Sequence, residues 1–515
     1  MKKLIIISFV LLVMSSAHAQ GCLPEGITFS TQVQIDSFQI NYPGCTEIEG
    51  DVSINGTDIT NLNGLSVLTS IGGDFTIGVY PSGENISLES LSGLENLTSI
   101  GGSLNIDNNP LLKDITSLSG LTYIGSGLNI GSLSWLSNPI GNTSLASLTG
   151  LEGLTSLAGL RIIGNDSLTD LIGLSNLNSI GGTLFISGNN SLISLLELGG
   201  LTFIGGNLQI GHYASGGPVG NPLLTQITGL EGLTSIGGDL IFIGSSLINL
   251  EGLSNLATIG GDLLMQDNFA ITSLSGLDNL TSVYGSLLLS PFPYTGGEDF
   301  VPYGNPNIES LEGLQNLTSI GGDLVIGQTS YLASLAGLEN TNSIGGNLYI
   351  YANSVLTSLT GLENVNAASI ENLEIYFNDS LFACDVQSIC DYLSSPNGTV
   401  EIHDNASGCD SFQEVEEACL GTGISMAGGR RSAVSVYPNP TISRSEIKYQ
   451  ISESISILLK ILDICGSEVC TLVNEEQAPG EHIIPFDAIR LPAGIYLVQL
   501  QAGGTITTTK MVVMK

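Results

Sequence analysis

The stretch "LLMQDNFAITSLSGLDNLTSVYGSLLL", Leu263 to Leu289, contains one complete repeat. Leu263 and Met265 alternate as in a strand, and Asn268, Ile271, Leu274, Leu277, Leu280 and Val283 then follow in steps of three. After Gly285 and Ser286, Leu287 and Leu289 open the next strand. Five successive steps of three would drift off one face of a helix with 3.6 residues per turn, so these leucines predict extended or 3₁₀-like walls and few true helices. A period in the low twenties, with one Asn just past a short strand, marks a solenoid in which each coil buries its neighbours' apolar edge.

Neighbouring segments overlay on this unit. Thirteen short strands are expected, beginning near Val52, Phe75, Leu104, Leu128, Leu160, Leu184, Leu208, Leu240, Leu263, Leu287, Leu324, Leu348 and Leu373, which makes about 12 coils. A Gly pair precedes most of them, as at Gly72 and Gly73 or Gly101 and Gly102. Glycine there permits positive φ and close stacking of one turn on the next. A pair that recurs in nearly every coil is a corner, whereas a phosphate-binding loop would occur once and lead into a helix. Asn109, Asn165, Asn189, Asn268, Asn353 and Asn378 recur just beyond the strands and are expected to satisfy backbone groups at a bend.

The region from about Ile48 to Leu381 resembles the leucine-rich repeats, and more closely the receptor L-domain variety of right-handed parallel β-solenoid. The pattern L-x-x-L-x-L-x-x-N-x-L is met in "LLMQDNFAI" except for one additional residue between Asn268 and Ile271. The resemblance implies a binding or scaffold role and supplies no catalytic residues.

Four coils are long, and their additional residues share one place, between the end of the strand and the first wall leucine. These insertions are Gly78 to Ser87, Gly131 to Ser144, Gly211 to Leu223 and Ser290 to Asn307. Insertions at one position of the coil leave one edge of the solenoid. With strands about 4.8 Å apart, loops two or three coils distant lie roughly 10 to 15 Å from one another, which suits a continuous rim. They carry Tyr80, Trp135, His212, Tyr213, Phe292, Tyr294, Phe300 and Tyr303 amid Gly and Pro. Such rings give large contact area for recognition of sugars or peptides; the competing reading is that they tuck under their own loops.

Charge is unevenly placed. Of 48 acidic residues, 8 lie beyond Leu420, leaving 40 against only Lys113 and Arg161 in the mature chain up to that point. Nucleic acid and anionic lipid are therefore poor partners. Asp51, Asp74, Asp239, Asp262 and Asp323 follow the Gly corner and read as a solvated face. The four histidines, His18, His212, His403 and His482, are scattered, and neither a G-x-S-x-G elbow, a Walker loop nor H-E-x-x-H occurs, so no enzyme, cofactor or metal is expected.

Cysteines flank the repeats: Cys22 and Cys45 before them, Cys384, Cys390, Cys409 and Cys419 after. In a secreted chain these suggest disulfide-stapled caps, 20–47 and 382–420, around a solenoid spanning 48–381. Cys22 is expected to pair with Cys45; for the other four, Cys384 with Cys409 and Cys390 with Cys419 is one choice among three. "CDVQSICDYL" and "SFQEVEEAC" read as short helices.

The ends concern targeting. Lys2 and Lys3, an apolar run from Leu4 to Val13, and Ala17-His18-Ala19 read as a secretory signal over 1–19, and no later run is long enough for a transmembrane helix. Gly421 to Arg431 reads as a linker. The stretch 432–515 resembles the type A sorting domain of the type IX secretion system in "VYPNP", "ILDICGSEV", "LPAGIYLVQL" and "KMVVMK". The positions carrying this resemblance include Tyr437, Pro438, Asn439, Pro440, Gly494, Tyr496, Lys510 and Lys515. It implies a small Ig-like β-sandwich that engages the type IX machinery as a partner and is usually removed. Cys465 and Cys470 depart from its usual pattern and either bond to each other or remain free. The chain thus reads as a non-enzymatic, surface-exposed or secreted binding or adhesion protein, with surface glycans or proteins as candidate partners. The alternative is a structural coat or matrix component without a specific ligand.

Overall fold

The computed structural model describes residues 20–78, 85–291, 304–421 and 434–514, apart from 438, 440, 442, 443, 452, 453, 465, 503 and 504. The expected signal segment 1–19 and most of the expected linker 421–431 lie outside them.

The repeats form a parallel β-solenoid. Its long sheet has 15 strands, from Ile27–Phe29 to Val400–His403, each paired to the strand one coil away. All thirteen expected strands are present. The two further strands lie within the cysteine-bearing ends, so the estimate of about 12 coils is low. They escape a leucine count because the end coils replace three-step walls with helices, Gln32–Asp36 and Phe38–Asn41 at one end and Phe412–Gly421 at the other.

A second wall is made of two-residue strands such as Ser70–Ile71 and Ser99–Ile100, in one run of five strands and another of eight. In each of these two the Ile is buried and the Ser partly exposed. Between this wall and the long sheet run the three-step leucines, in open turns and short 3₁₀ segments such as Thr116–Leu118 and Glu251–Leu253. Leu274, Leu277 and Leu280 are fully buried, as are their equivalents along the rod, in one continuous core. Truncating one such leucine to Ala is expected to cost about 2–5 kcal/mol.

The Gly corner acts through space rather than through φ. A Cβ on Gly101 would lie 2.2 Å from the Gly72 carbonyl oxygen of the preceding coil. The pairs do not adopt positive φ; that conformation falls instead on wall glycines such as Gly93 and Gly150 and on strand-end glycines such as Gly131 and Gly211. The residue after the pair is also no simple solvated carboxylate. Asp74 Oδ1 accepts from the Ser103 N–H at 2.7 Å, Asp239 Oδ1 from Asp262 at 2.9 Å, and Asp323 Oδ1 from Asn347 at 2.6 Å. These side chains tie each corner to the next, holding donors that the bend takes out of the ladder.

A buried asparagine ladder runs along the opposite corner. Asn189 Nδ2 donates to the Ile162 carbonyl at 2.8 Å, while its Oδ1 accepts from the Asn165 N–H at 3.0 Å. The ladder includes Asn85, Asn142, Asn221 and Asn305 besides the expected positions. Each of these stands three residues before the first wall leucine, so the Asn keeps register with the wall and the insertions fall between strand and Asn.

Among the described residues three disulfides, Cys22–Cys45, Cys384–Cys409 and Cys390–Cys419, close the ends. Helices Gln387–Ser394 and Phe412–Gly421 cover the final coil. The C-terminal unit is an antiparallel sandwich of a three-stranded and a four-stranded sheet around Ile447, Leu459, Ile461, Val498 and Met511.

Candidate functional site

The insertions leave the coil at one point. Gly78, Gly131 and Gly211 turn the chain out of the strand with φ of 82°, 85° and 82°, and Asn85, Asn142, Asn221 and Asn305 receive it back into the ladder. Residues 79–84 and 292–303 lie outside the described residues, and with them Tyr80, Phe292, Tyr294, Phe300 and Tyr303.

The two described insertions are short antiparallel hairpins, Ser132–Leu133 with Pro139–Ile140 and His212–Ala214 with Gly217–Val219. They fold along the rod over later coils. Pro139 sits so close above two strand ends that a Cβ on Gly188 would come 2.8 Å from its Cγ, and Pro218 covers Gly244 in the same manner, at 2.7 Å. Glycine at those strand ends makes room for the neighbour's insertion.

The hairpins also hold each other. Ser215 N–H donates to the Leu136 carbonyl at 3.1 Å, and the His212 Nε2 lies 2.6 Å from the Ser137 carbonyl oxygen. A carbonyl only accepts, so Nε2 carries the proton, and Nδ1 faces the fully buried Ser187 hydroxyl at 2.7 Å. His212 is 5% exposed and packs edge-on against Phe185, and burial holds its pKa below the usual histidine value. Tyr213 is half-buried, and its hydroxyl donates to Asp267 Oδ2 at 2.5 Å. Burial and that carboxylate together push its pKa well up. These two rings therefore face inward, fastening loop to loop and loop to rod. Trp135 does the opposite: it is 82% exposed at a hairpin tip, beside the exposed Leu136.

The start of the fourth insertion, which has no positive-φ glycine among its described residues, is pinned by a buried ring. Ser290 Oγ lies 2.7 Å from the Tyr351 hydroxyl, which also meets the Pro291 carbonyl. Burial pushes this phenol up to about 12. Tyr351 continues into a ring stack with Tyr376 and then His403, centroids 5.7 and 5.1 Å apart.

Beside the hairpins lies the outward face of the long sheet. Pairing places Thr76, Asn105, Asn129, Arg161, Phe185 and Gln209 in one row, one residue per coil. Asn129 Nδ2 donates to Asn105 Oδ1 at 2.7 Å, and the Arg161 guanidinium lies 5.7 Å from the Phe185 ring centre. Sequence reasoning did not single out Ser137, Ser187, Asp267, Phe185 or this row. The signal for the row was legible, since Arg161 is the one arginine in the repeats and stands at an outward position of its strand.

In the sandwich, the residues of the sorting resemblance have structural partners. Asn439 Nδ2 donates to the Lys510 carbonyl and its Oδ1 accepts from the Val512 N–H, both at 2.7 Å, which clasps the start of the unit to its last strand. Tyr496 is buried, with its hydroxyl on the Pro492 carbonyl at 3.0 Å, and Gly494 opens its strand. Tyr437 ends the first strand, and Lys510 lies in the last; Pro438, Pro440 and Lys515 are outside the described residues. Cys465 is too, while Cys470 holds a free, half-buried thiol.

Residues 435–514 match the family model of the secretion system C-terminal sorting domain. The chain is thus a cargo of the type IX secretion system, delivered to the cell surface or the extracellular space. Among curated proteins none matches it. No helix among the described residues is long and apolar enough to cross a membrane.

Proposed function

We propose that this protein is a non-enzymatic binding or adhesion protein of the cell exterior, and that its recognition surface is the ridge of hairpins laid along the solenoid. The observation that carries this reading is the contrast between Trp135 and its supports. The chain's one tryptophan is held out to solvent on a hairpin whose neighbour is locked beneath it by His212 and Tyr213. A rigid, exposed aromatic anchor loses little entropy on contact, the property that makes Trp a frequent centre of binding energy. We further read the solenoid as one of the receptor L-domain kind. The three-step leucines, the buried Asn ladder and the additional residue between Asn and the next apolar position support that assignment.

The test is binding of the full-length chain and its Trp135→Ala variant to an array of cell-surface glycans and to whole cells. Saturable binding that falls at least about tenfold in the variant is expected, since a central Trp is worth roughly 2 kcal/mol or more. Self-assembly without any saturable ligand would instead indicate a coat component.

A further inference from the structure

We infer that the outward row Asn105–Asn129–Arg161, at the foot of the hairpins, takes an extended anionic glycan; this deepens the recognition reading above and rests on it. The first observation is how charge is distributed. The solenoid and its caps carry 40 of the chain's 48 acidic residues, yet the row from Thr28 through Ser53, Thr76, Asn105, Asn129, Arg161, Phe185, Gln209, Ile241, Leu264, Leu288, Val325 and Tyr349 contains no carboxylate, and the first is Glu374. Carboxylates flank the row, Asp107 two residues beyond Asn105 and Asp51 and Asp74 beside Ser53 and Thr76, yet the row itself repels an anionic ligand less at short range than the rest of so acidic a surface.

The second observation is Arg161 itself. Its side chain is exposed, and among the described residues it makes neither an ion pair nor a hydrogen bond, although acidic residues outnumber basic ones twentyfold in this part of the chain. The Phe185 ring fixes its place, and Phe185 is held in turn by His212 of the second hairpin. A planar guanidinium with its donors free matches a carboxylate or sulfate bidentately.

The third observation is spacing. Asn129 and Asn105 stand one and two coils from Arg161 in strict register, offering amide donors and acceptors roughly 4.8 Å apart along the rod. A pyranose in an extended chain advances by close to one such spacing, so successive sugars would meet successive side chains. One cation does not suffice for a polynucleotide, whose binding rests on many phosphate contacts. A glycan with an acid group on some of its sugars needs only one.

The experiment is calorimetric titration of the full-length protein with polygalacturonate, alginate and chondroitin sulfate, a neutral galactan and poly-glutamate serving as comparisons. At least one acidic polysaccharide is expected to bind, with the galactan and poly-glutamate weaker by roughly ten- to hundredfold, the worth of a charge-assisted hydrogen-bonded pair. Arg161→Gln, a surface change that leaves the core intact, is expected to remove that preference, and Trp135→Ala to weaken all sugar binding without removing it. Unchanged titrations for Arg161→Gln, equal binding of the galactan or of poly-glutamate, or no binding of any acidic polysaccharide would overturn the inference. If Arg161→Gln is silent while Trp135→Ala still weakens binding on the glycan array, this inference fails and the ridge stands as the recognition surface.

Discussion

The imidazole of His212 donates to the Ser137 carbonyl across 2.6 Å, joining two hairpins whose strands start three coils apart. A two-stranded ribbon alone is of marginal stability, and this bond adds to the Ser215–Leu136 and Tyr213–Asp267 contacts that hold the hairpins in place. His212→Ala removes it and leaves the Ser187 hydroxyl with a cavity on one side. The expected effect is local, a loss of about 1–3 kcal/mol of protection in hydrogen exchange over Gly131 to Ser144. Protection of the wall leucines should stay unchanged.

The same residue makes the ridge sensitive to acid. Burial lowers the His212 pKa relative to its unfolded value near 6.5, so the opened state binds more protons at mildly acid pH. Stability from the closed latch is therefore fully present above that unfolded value and is lost as pH falls below it. Exchange over Gly131 to Ser144 should be faster at pH 5 than at pH 7.5 after correction for intrinsic rates, and His212→Gln should flatten the difference. Faster opening at the higher pH would reverse the assignment.

The buried and exposed asparagine ladders should respond differently. Asn189→Ala deletes donors to Ile162 and Ser187 and strands the Asn165 N–H in the core, and is expected to cost about 2–5 kcal/mol in denaturant unfolding. Asn255 also reaches one coil back, to the Glu231 carbonyl at 2.8 Å, but in solvent. Its replacement by Ala should cost less than about 1 kcal/mol, because water takes over the carbonyl.

Gly101→Ala tests the corner. The added methyl meets the Gly72 carbonyl and has no rotamer by which to escape, so the stack must part locally at a cost of about 1–3 kcal/mol. A neutral result in thermal unfolding would mean that the coils sit farther apart than described.

The solenoid was legible because its signals repeat. Leucines at steps of three, a Gly pair and a strand-end Asn recur coil after coil, and chance does not sustain such a pattern. The end coils were less legible, since Ile27–Phe29 and Val400–His403 bury themselves against helices whose residues carry no repeat. Within the site, coil length showed where insertions leave the rod. The direction each loop then takes depends on contacts far away in sequence, such as Pro139 above Gly188, and no local pattern encodes that. His212 and Tyr213 resembled Trp135 in composition and setting, yet Ser187 and Asp267, far away in sequence, draw them inward while Trp135 stays 82% exposed.

Hydrogen-exchange footprinting of the full-length chain, with and without the best ligand from the glycan array, tests the central claim most directly. Protection is expected over Gly131 to Ser144 and Gly211 to Leu223 and along Gly127–Ile130 and Gly159–Ile163. Protection confined to the second wall, to the disulfide-closed ends or to the sandwich would contradict the assignment of the hairpin ridge as the recognition surface.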